Sequence, residues 1–183
     1  MTLLELIRKR RSIRAYKDAP IEKESVELLI ESLLRAPSSR SINPWQFVVV
    51  DDRELLTRLS GAKQHGSAFL KGAALGVVIC ADSTKSDAWV EDCSIAAILL
   101  QMTAESLGLG SCWIQIRNRQ HNSEVTSEAF IEELLGLSEH VKVECIISIG
   151  HPGEKKTPLA ASRLQYDKVN RNRYGSGWER GPV

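Results

Sequence analysis

The stretch that most constrains this chain is SDAWVEDCSIAAILLQMTAESLG, residues 86–108. Its spacing predicts one long helix over 86–107, and from Cys93 to Ala104 that helix is apolar nearly all the way round. A helix without a polar face cannot lie on a surface and must be covered on several sides. A chain of 183 residues fits one domain with a sizeable core. Hiding such a helix within it is difficult, so a subunit interface is expected at this element.

The cover has to come from the remaining apolar segments. WQFVVV, GVVICAD, SCWIQI and VKVECIISIG are short, β-branched runs that read as buried strands. Leu3, Leu4, Leu6 and Ile7 form one face of a short first helix. Val26, Leu29, Ile30, Leu33 and Leu34 repeat at helical spacing, in a helix that should stop at Ala36 because Pro37 disfavours αR in the residue before it. DDRELLTRLSGAK is a capped helix closing near Gly61, and SEAFIEELLG is a further helix. From Pro152 onward no period is sustained, yet Leu159, Leu164, Tyr166, Val169, Tyr174 and Trp178 punctuate the tail as anchors. Residues 152–183 are therefore expected to form an arm on another surface, attached to a single domain spanning 1–183.

Charge and cysteine usage exclude several function classes. Lys and Arg number 24 and Asp and Glu 23, for a formal charge of +1, so the basic run RKRRSIR is local and cancelled elsewhere. A nucleic-acid partner usually requires a basic excess spread over a face, and none is expected here. Cys80, Cys93, Cys112 and Cys145 lie in apolar contexts without CxxC pairing, and His65, His121, His140 and His151 are scattered. No metal set is expected, and reduced buried thiols point to a cytoplasmic protein. No run is long enough for a membrane span, and the N-terminus has no apolar segment to translocate.

Three constellations are able to carry chemistry. In Arg10-Arg11-Ser12-Ile13-Arg14, an extended backbone after the first helix would send Arg10, Ser12 and Arg14 to one side. Two guanidinium forks and a hydroxyl suit a phosphate, although basic residues at a helix C-terminus also simply complement its dipole. The loop Pro37-Ser38-Ser39-Arg40-Ser41-Ile42-Asn43-Pro44 is rich in small hydrogen-bonding groups held between prolines, suited to a ligand or to an ordinary turn. Gly108-Leu109-Gly110 precedes Ser111–Gln115, where the glycines either cap the long helix or let backbone approach something flat. None of these is a GxGxxG or P-loop phosphate site.

RRSIRAY, APSSRSINPWQFVVV, AESLGLGSCWIQI and IISIGHPGEKK, in this order, resemble the nitroreductase family of FMN flavoproteins, from about Leu3 to Tyr174. The resemblance implies an α+β fold, with a central mixed but mainly antiparallel sheet flanked by helices, an extended C-terminal arm and an intertwined homodimer. It implies FMN at the dimer interface, with Arg10 and Ser12 on the phosphate, Arg11 adjacent and Arg14 toward the pyrimidine edge. Pro37, Ser38, Ser39, Ser41 and Asn43 would line the flavin of the partner; Ser41 stands where the family often has Asn, and Asn43 where it has Gln. Ile114 and Gln115 would offer backbone N–H groups to flavin N5, in a Trp113-Ile114-Gln115-Ile116 sequence where many members have Pro-x-Glu-Gly. Arg163 matches a second phosphate contact best, with Lys156 as the other candidate, while Arg8 and Lys9 would face solvent.

The implied activity is hydride transfer from NADH or NADPH through flavin N5 to nitroaromatics, quinones or similar flat electrophiles. One shared site implies a ping-pong mechanism with no catalytic side chain. Specialised relatives dehalogenate iodotyrosines, cleave flavin or dehydrogenate peptide-bound azolines, usually with an added lid; the link between Asp82 and Asp92 is too short for one. A non-enzymatic anion or nucleic-acid binder is the reading from another class.

Overall fold

The structure is a computed structural model that describes residues 1–179; the end of the expected arm, 180–183, lies outside the described residues. Four strands form its centre: β1 (Trp45–Val50), β2 (Leu75–Asp82), β3 (Gly110–Gln115) and β4 (Val141–Gly150). They run in the order β1-β2-β4-β3, with every neighbouring pair antiparallel. The mixed character comes from one parallel bridge outside the strands, Ser12 to Ser111, at the outer edge of β3. β2 and β4 are central and buried along nearly their whole length, which explains why they are rich in Val and Ile on both faces.

Five helices flank the sheet: α1 (Leu3–Lys9), α2 (Lys23–Leu34), α3 (Arg53–Ser60), α4 (Trp89–Ser106) and α5 (Ser127–Leu135). Their ends follow local chemistry. Thr2 and Glu5 make a reciprocal capping box on α1, and the Asp52 and Thr126 side chains cap α3 and α5. On one face Leu29 and Leu33 of α2 and Cys93, Ala96, Ala97, Leu100 and Ala104 of α4 pack against the odd-numbered residues of β2. On the other face Leu56, Leu59 and Ile131 pack against Val78, Ile114 and Ile146.

The register of β2 against β4 slips between Ile79 and Cys80, which pair with Cys145 and Val143 and leave Glu144 as the extra residue of a bulge. The sheet, α2 and α1 cover the long helix but leave part of it open. Ile95 and Ile98, midway along it, are 39% and 43% exposed. Beyond β4 the described tail carries short 3₁₀ turns and an isolated bridge of Asn170 with Gly177, and Leu159, Leu164, Val169, Tyr174 and Trp178 are all exposed on the single chain. No helix of the described chain is long and apolar enough to cross a membrane.

Candidate active site at the free edge of the third strand

α1 stops at Lys9 because Arg10 turns extended, with φ −56° and ψ 132°. The chain then runs beside β3, and the Ile13 N–H donates to the Ser111 carbonyl at 3.0 Å. Tyr16 locks the segment down: its hydroxyl lies 2.7 Å from the Ile13 carbonyl and 2.7 Å from Ser148 Oγ. Burial pushes the Tyr16 hydroxyl well above its usual pKa, so it stays protonated. The approach of the two segments also settles the role of Gly110. A Cβ at that position would stand 2.9 Å from Ile13 Cβ. Gly108 has a different task, at φ +75° just past the end of α4.

Alternation along this segment separates Arg11 from its neighbours. The Arg11 guanidinium donates to the Thr157 carbonyl and lines a shallow cleft of about 310 Å³ with Lys9 and Glu105. Lys9 is exposed, as expected, and pairs with Glu105 at 3.2 Å. Arg10, Ser12 and Arg14 face the other way, around Cys112. The Cys112 thiol is pushed up by burial and pulled back by Arg14, by a hydrogen bond from Ser12, and by Lys156 and Arg10.

Arg10 reaches Gln101 Oε1 only at 3.5 Å, Arg14 lies 5.7 Å over the Phe69 ring, and Lys156 donates to the Ser12 carbonyl at 3.0 Å. Lys63 completes the cluster; burial and then the Arg119 cation hold its ammonium below the usual range. Glu154 opposes these charges, but Lys156 at 3.1 Å and the Arg14 N–H at 2.6 Å already occupy it. Burial and the Arg119 cation disfavour the positive charge on Lys63, so the cations gathered around Ser12 call for an anion, and a phosphate monoester fits this donor set.

Of the two basic candidates beyond β4, Lys156 is the one this chain brings to Ser12. Arg163 sits on the exposed 3₁₀ turn Ala161–Arg163, where its N–H donates to the Ala160 carbonyl. Lys63 was not legible in the sequence, because it lies in an aperiodic loop and joins the cluster only through tertiary contacts of that loop with the segment after β3, where the Gln64 N–H donates to the Gln120 carbonyl.

The loop after α2 is rigid for a physical reason. Arg40, Ser41 and Asn43 all take left-handed backbone, with φ of 52°, 54° and 51°. Each such residue costs on the order of 1–2 kcal/mol, so the arrangement must be over-determined by its surroundings. Ser38 Oγ donates to Asn43 Oδ1 at 2.7 Å and accepts from the Asn43 N–H at 2.9 Å. The Ser39 N–H donates to Asp92 Oδ1 at 2.8 Å, and Asp92 is itself buried at the start of α4. Ser41 and Asn43 remain exposed, as does Pro37.

Within one chain this loop and the cation cluster do not meet. Ser39 is tied to Asp92 and Arg10 to Gln101, nine positions further along α4, or about 13.5 Å at ~1.5 Å per residue.

β3 connects the cluster to a second group of polar residues. Since the Ser111 carbonyl points outward to Ile13, alternation sends the backbone groups of Trp113 and Gln115 to the free edge and those of Ile114 toward β4. The Ile114 side chain is 1% exposed and belongs to the core. Gln115 is held by its side chain, which accepts from Trp113 Nε1 at 2.9 Å and donates to the Arg117 carbonyl at 3.0 Å. The Ile116 and Arg117 N–H groups both donate to the Glu144 carbonyl, so the bulge ends the strand. The Glu144 carboxyl is buried, its Oε2 has no hydrogen-bond partner among the described residues, and burial raises its pKa against the pull of Arg117.

With this geometry in place, comparisons with known proteins give one consistent result. The profile of the Nitroreductase family matches residues 7–82 and 60–151. The solved structure of an FMN-dependent nitroreductase from Clostridium difficile R20291 is 46% identical, with a TM-score of 0.92, covering 93% of this chain and 99% of that one. A protein of Archaeoglobus fulgidus provisionally named NADH dehydrogenase/NAD(P)H nitroreductase is 35% identical over 176 residues, 93% of this chain and 98% of the relative. An NADPH-flavin oxidoreductase of Vibrio harveyi is 30% identical over 93% of this chain and 74% of its own length. The segment that closes on β3, the strained serine loop and the glycine approach all fall inside the matched region, and the chain belongs to the Nitroreductase family.

Proposed function

We propose that this protein is an FMN-dependent oxidoreductase that carries hydride from NADH or NADPH to nitroaromatics, quinones or similar flat electrophiles. The observation that carries the reading is the cation cluster of Arg10, Arg14, Lys63 and Lys156 at the free edge of β3, with too little acidic charge to balance it. Arg10, Ser12 and Lys156 would hold the phosphate. Arg14 and Lys63 supply fixed positive charge where the reduced ring becomes anionic, which favours reduction. The Gln115 N–H, clamped through its own side chain, presents a donor at the strand edge. When bound, FMN supplies a two-electron acceptor and donor that none of these side chains provides.

The remaining pieces come from a second copy. A two-fold axis crossing the middle of α4 would bury Ile95 and Ile98 and bring the Ser38–Asn43 loop of each protomer over the Arg10 cluster of the other. The exposed apolar residues of the tail then serve as the anchors of an arm laid on the partner. A single open ring face serves both substrates, so the oxidised nucleotide leaves before the acceptor enters, which is ping-pong kinetics. The four free, buried cysteines fit a cytoplasmic setting.

The test is the visible spectrum of the purified protein, followed by anaerobic NADH and NADPH. Bleaching of a flavin spectrum, with light scattering at twice the chain mass, is the expected outcome. A colourless protein that takes up no added FMN refutes the reading.

A further inference from the structure

β3 does not end at Gln115 in solvent. Two residues beyond its end, in the turn that follows, Arg117 opens a cleft of about 320 Å³ with Trp89, Arg119, Glu128 and Lys142, a size within the range of small-ligand sites. Its charges are not equivalent. Lys142 is engaged by Glu132 at 3.0 Å and Glu128 at 3.7 Å, and burial pushes the Glu128 carboxyl up.

The two guanidinium groups are less committed. Arg117 lies 5.8 Å over the Trp89 ring and also acts on the buried Glu144 carboxyl by charge alone, and Arg119 donates from Nη1 to the Asn118 carbonyl at 3.0 Å. Each guanidinium has five N–H donors in a planar fork, so most of both forks is available to a ligand. Arg119 also couples to Lys63, which sets the cleft beside the cation cluster, just past the end of β3. Trp89 holds the Arg117 head by its ring face.

We propose that this cleft is the subsite for the anionic group, a carboxylate or a phosphate, of a planar substrate whose ring stacks at the strand edge. Arg117 and Arg119 bind that group as a paired fork, and Trp89 positions Arg117. The inference rests on the flavoenzyme reading for the ring and deepens it by giving the substrates a charge. Such a group belongs either to the pyridine nucleotide, through its phosphates, or to an aromatic acceptor carrying a carboxylate.

Two measurements on the FMN-loaded protein test the proposal, with R117Q and R119Q as charge-removing variants and R117K retaining charge without the fork. The first is the KM for 4-nitrobenzoate relative to that for neutral 4-nitrobenzyl alcohol, beside the KM for each nicotinamide nucleotide. R117Q is expected to raise the charged-to-neutral ratio about ten-fold, equivalent to about 1.4 kcal/mol, and R117K to recover part of it. A change confined to the nucleotide KM assigns the subsite to its phosphates, and one confined to nitrobenzoate assigns it to an acidic acceptor.

The second measurement titrates inorganic pyrophosphate against tryptophan fluorescence, with and without FMN, and checks folding by melting temperature. Saturable binding lost in R117Q is expected, and it stands even if the protein proves to hold no flavin. Equal KM effects on charged and neutral substrates, or a pyrophosphate response unchanged in both glutamine variants, overturns the proposal.

Discussion

Replacing Gly110 with alanine places a methyl group 2.9 Å from both Cβ and Cγ2 of Ile13 and 3.0 Å from Cγ1. Trimming Ile13 gives no relief, because its Cβ is already one of the offending atoms. The strand carrying Gly110 is paired to β4 along its length, so the segment 12–14 must move instead, opening the Ser12–Ser111 bridge. Overpacking of this kind costs about 1–3 kcal/mol. Alanine returns about 0.4–1 kcal/mol by restricting the unfolded chain, leaving a net loss of about 1–2 kcal/mol. At about 2–4 °C per kcal/mol for a domain of this size, Tm should fall by about 2–8 °C.

The same displacement moves Arg10, Ser12 and Arg14 relative to Lys156, so the Kd for FMN should rise several-fold in equilibrium dialysis. Gly108→Ala is the control. Its Cβ meets nothing within 4 Å, but φ is +75°, so it should lose about 1–2 kcal/mol to backbone strain with FMN affinity retained. A G110A protein with unchanged Tm and FMN affinity would refute the idea that glycine is there for the approach of the Ile13 segment.

Y16F keeps the ring but leaves Ser148 Oγ and the Ile13 carbonyl without the hydroxyl; a loss of about 1–3 kcal/mol is expected in urea unfolding, and a loss near zero would show that the ring alone anchors the segment. D92N weakens the carboxylate that receives the Ser39 N–H. It should increase hydrogen exchange in 38–43 and weaken flavin binding with little change in Tm, and unaltered exchange would sink the preorganisation argument. Burial raises the Glu144 pKa in the folded state, so the native protein binds that proton more tightly than the unfolded chain. Glu144 therefore subtracts stability as pH rises from about 4.5 through the raised pKa and contributes no difference below it. E144Q should accordingly raise Tm at pH 7 more than at pH 4, read by thermal melts across that window; equal shifts at both pH values would contradict the assignment.

Much of the architecture is legible in the residues because it depends on local chemistry. Short Pro-free runs rich in Val and Ile mark β2 and β4, and Thr2 with Glu5, Asp52 and Thr126 announce helix starts to within a residue or two. α4 illustrates the boundary of such reading: its apolar girdle is plain, but its start at Trp89 rather than Ser86 depends on the Ser86 hydroxyl bonding the buried Asp92 and the Ala88 N–H. The candidate site divides the same way. RRSIR shows its alternation in the sequence, because an extended chain has a period of two whatever surrounds it. That Arg11 turns to Thr157 while its neighbours gather at Cys112, that Lys63 joins them, and that Lys156 rather than Arg163 reaches Ser12, are contacts between residues 49 to 146 positions apart.

The sequence by itself determined the elements, the polarity of their faces and the residue types able to bind a phosphate, since these depend on backbone periodicity and side-chain chemistry. Tertiary structure alone decided which cations share a pocket, which N–H groups of β3 face the free edge, and that Glu144 is the bulged residue left over by the slip between β2 and β4. Those outcomes depend on sheet order and register, which follow from how the whole core closes, and no local stretch of chain encodes that closure.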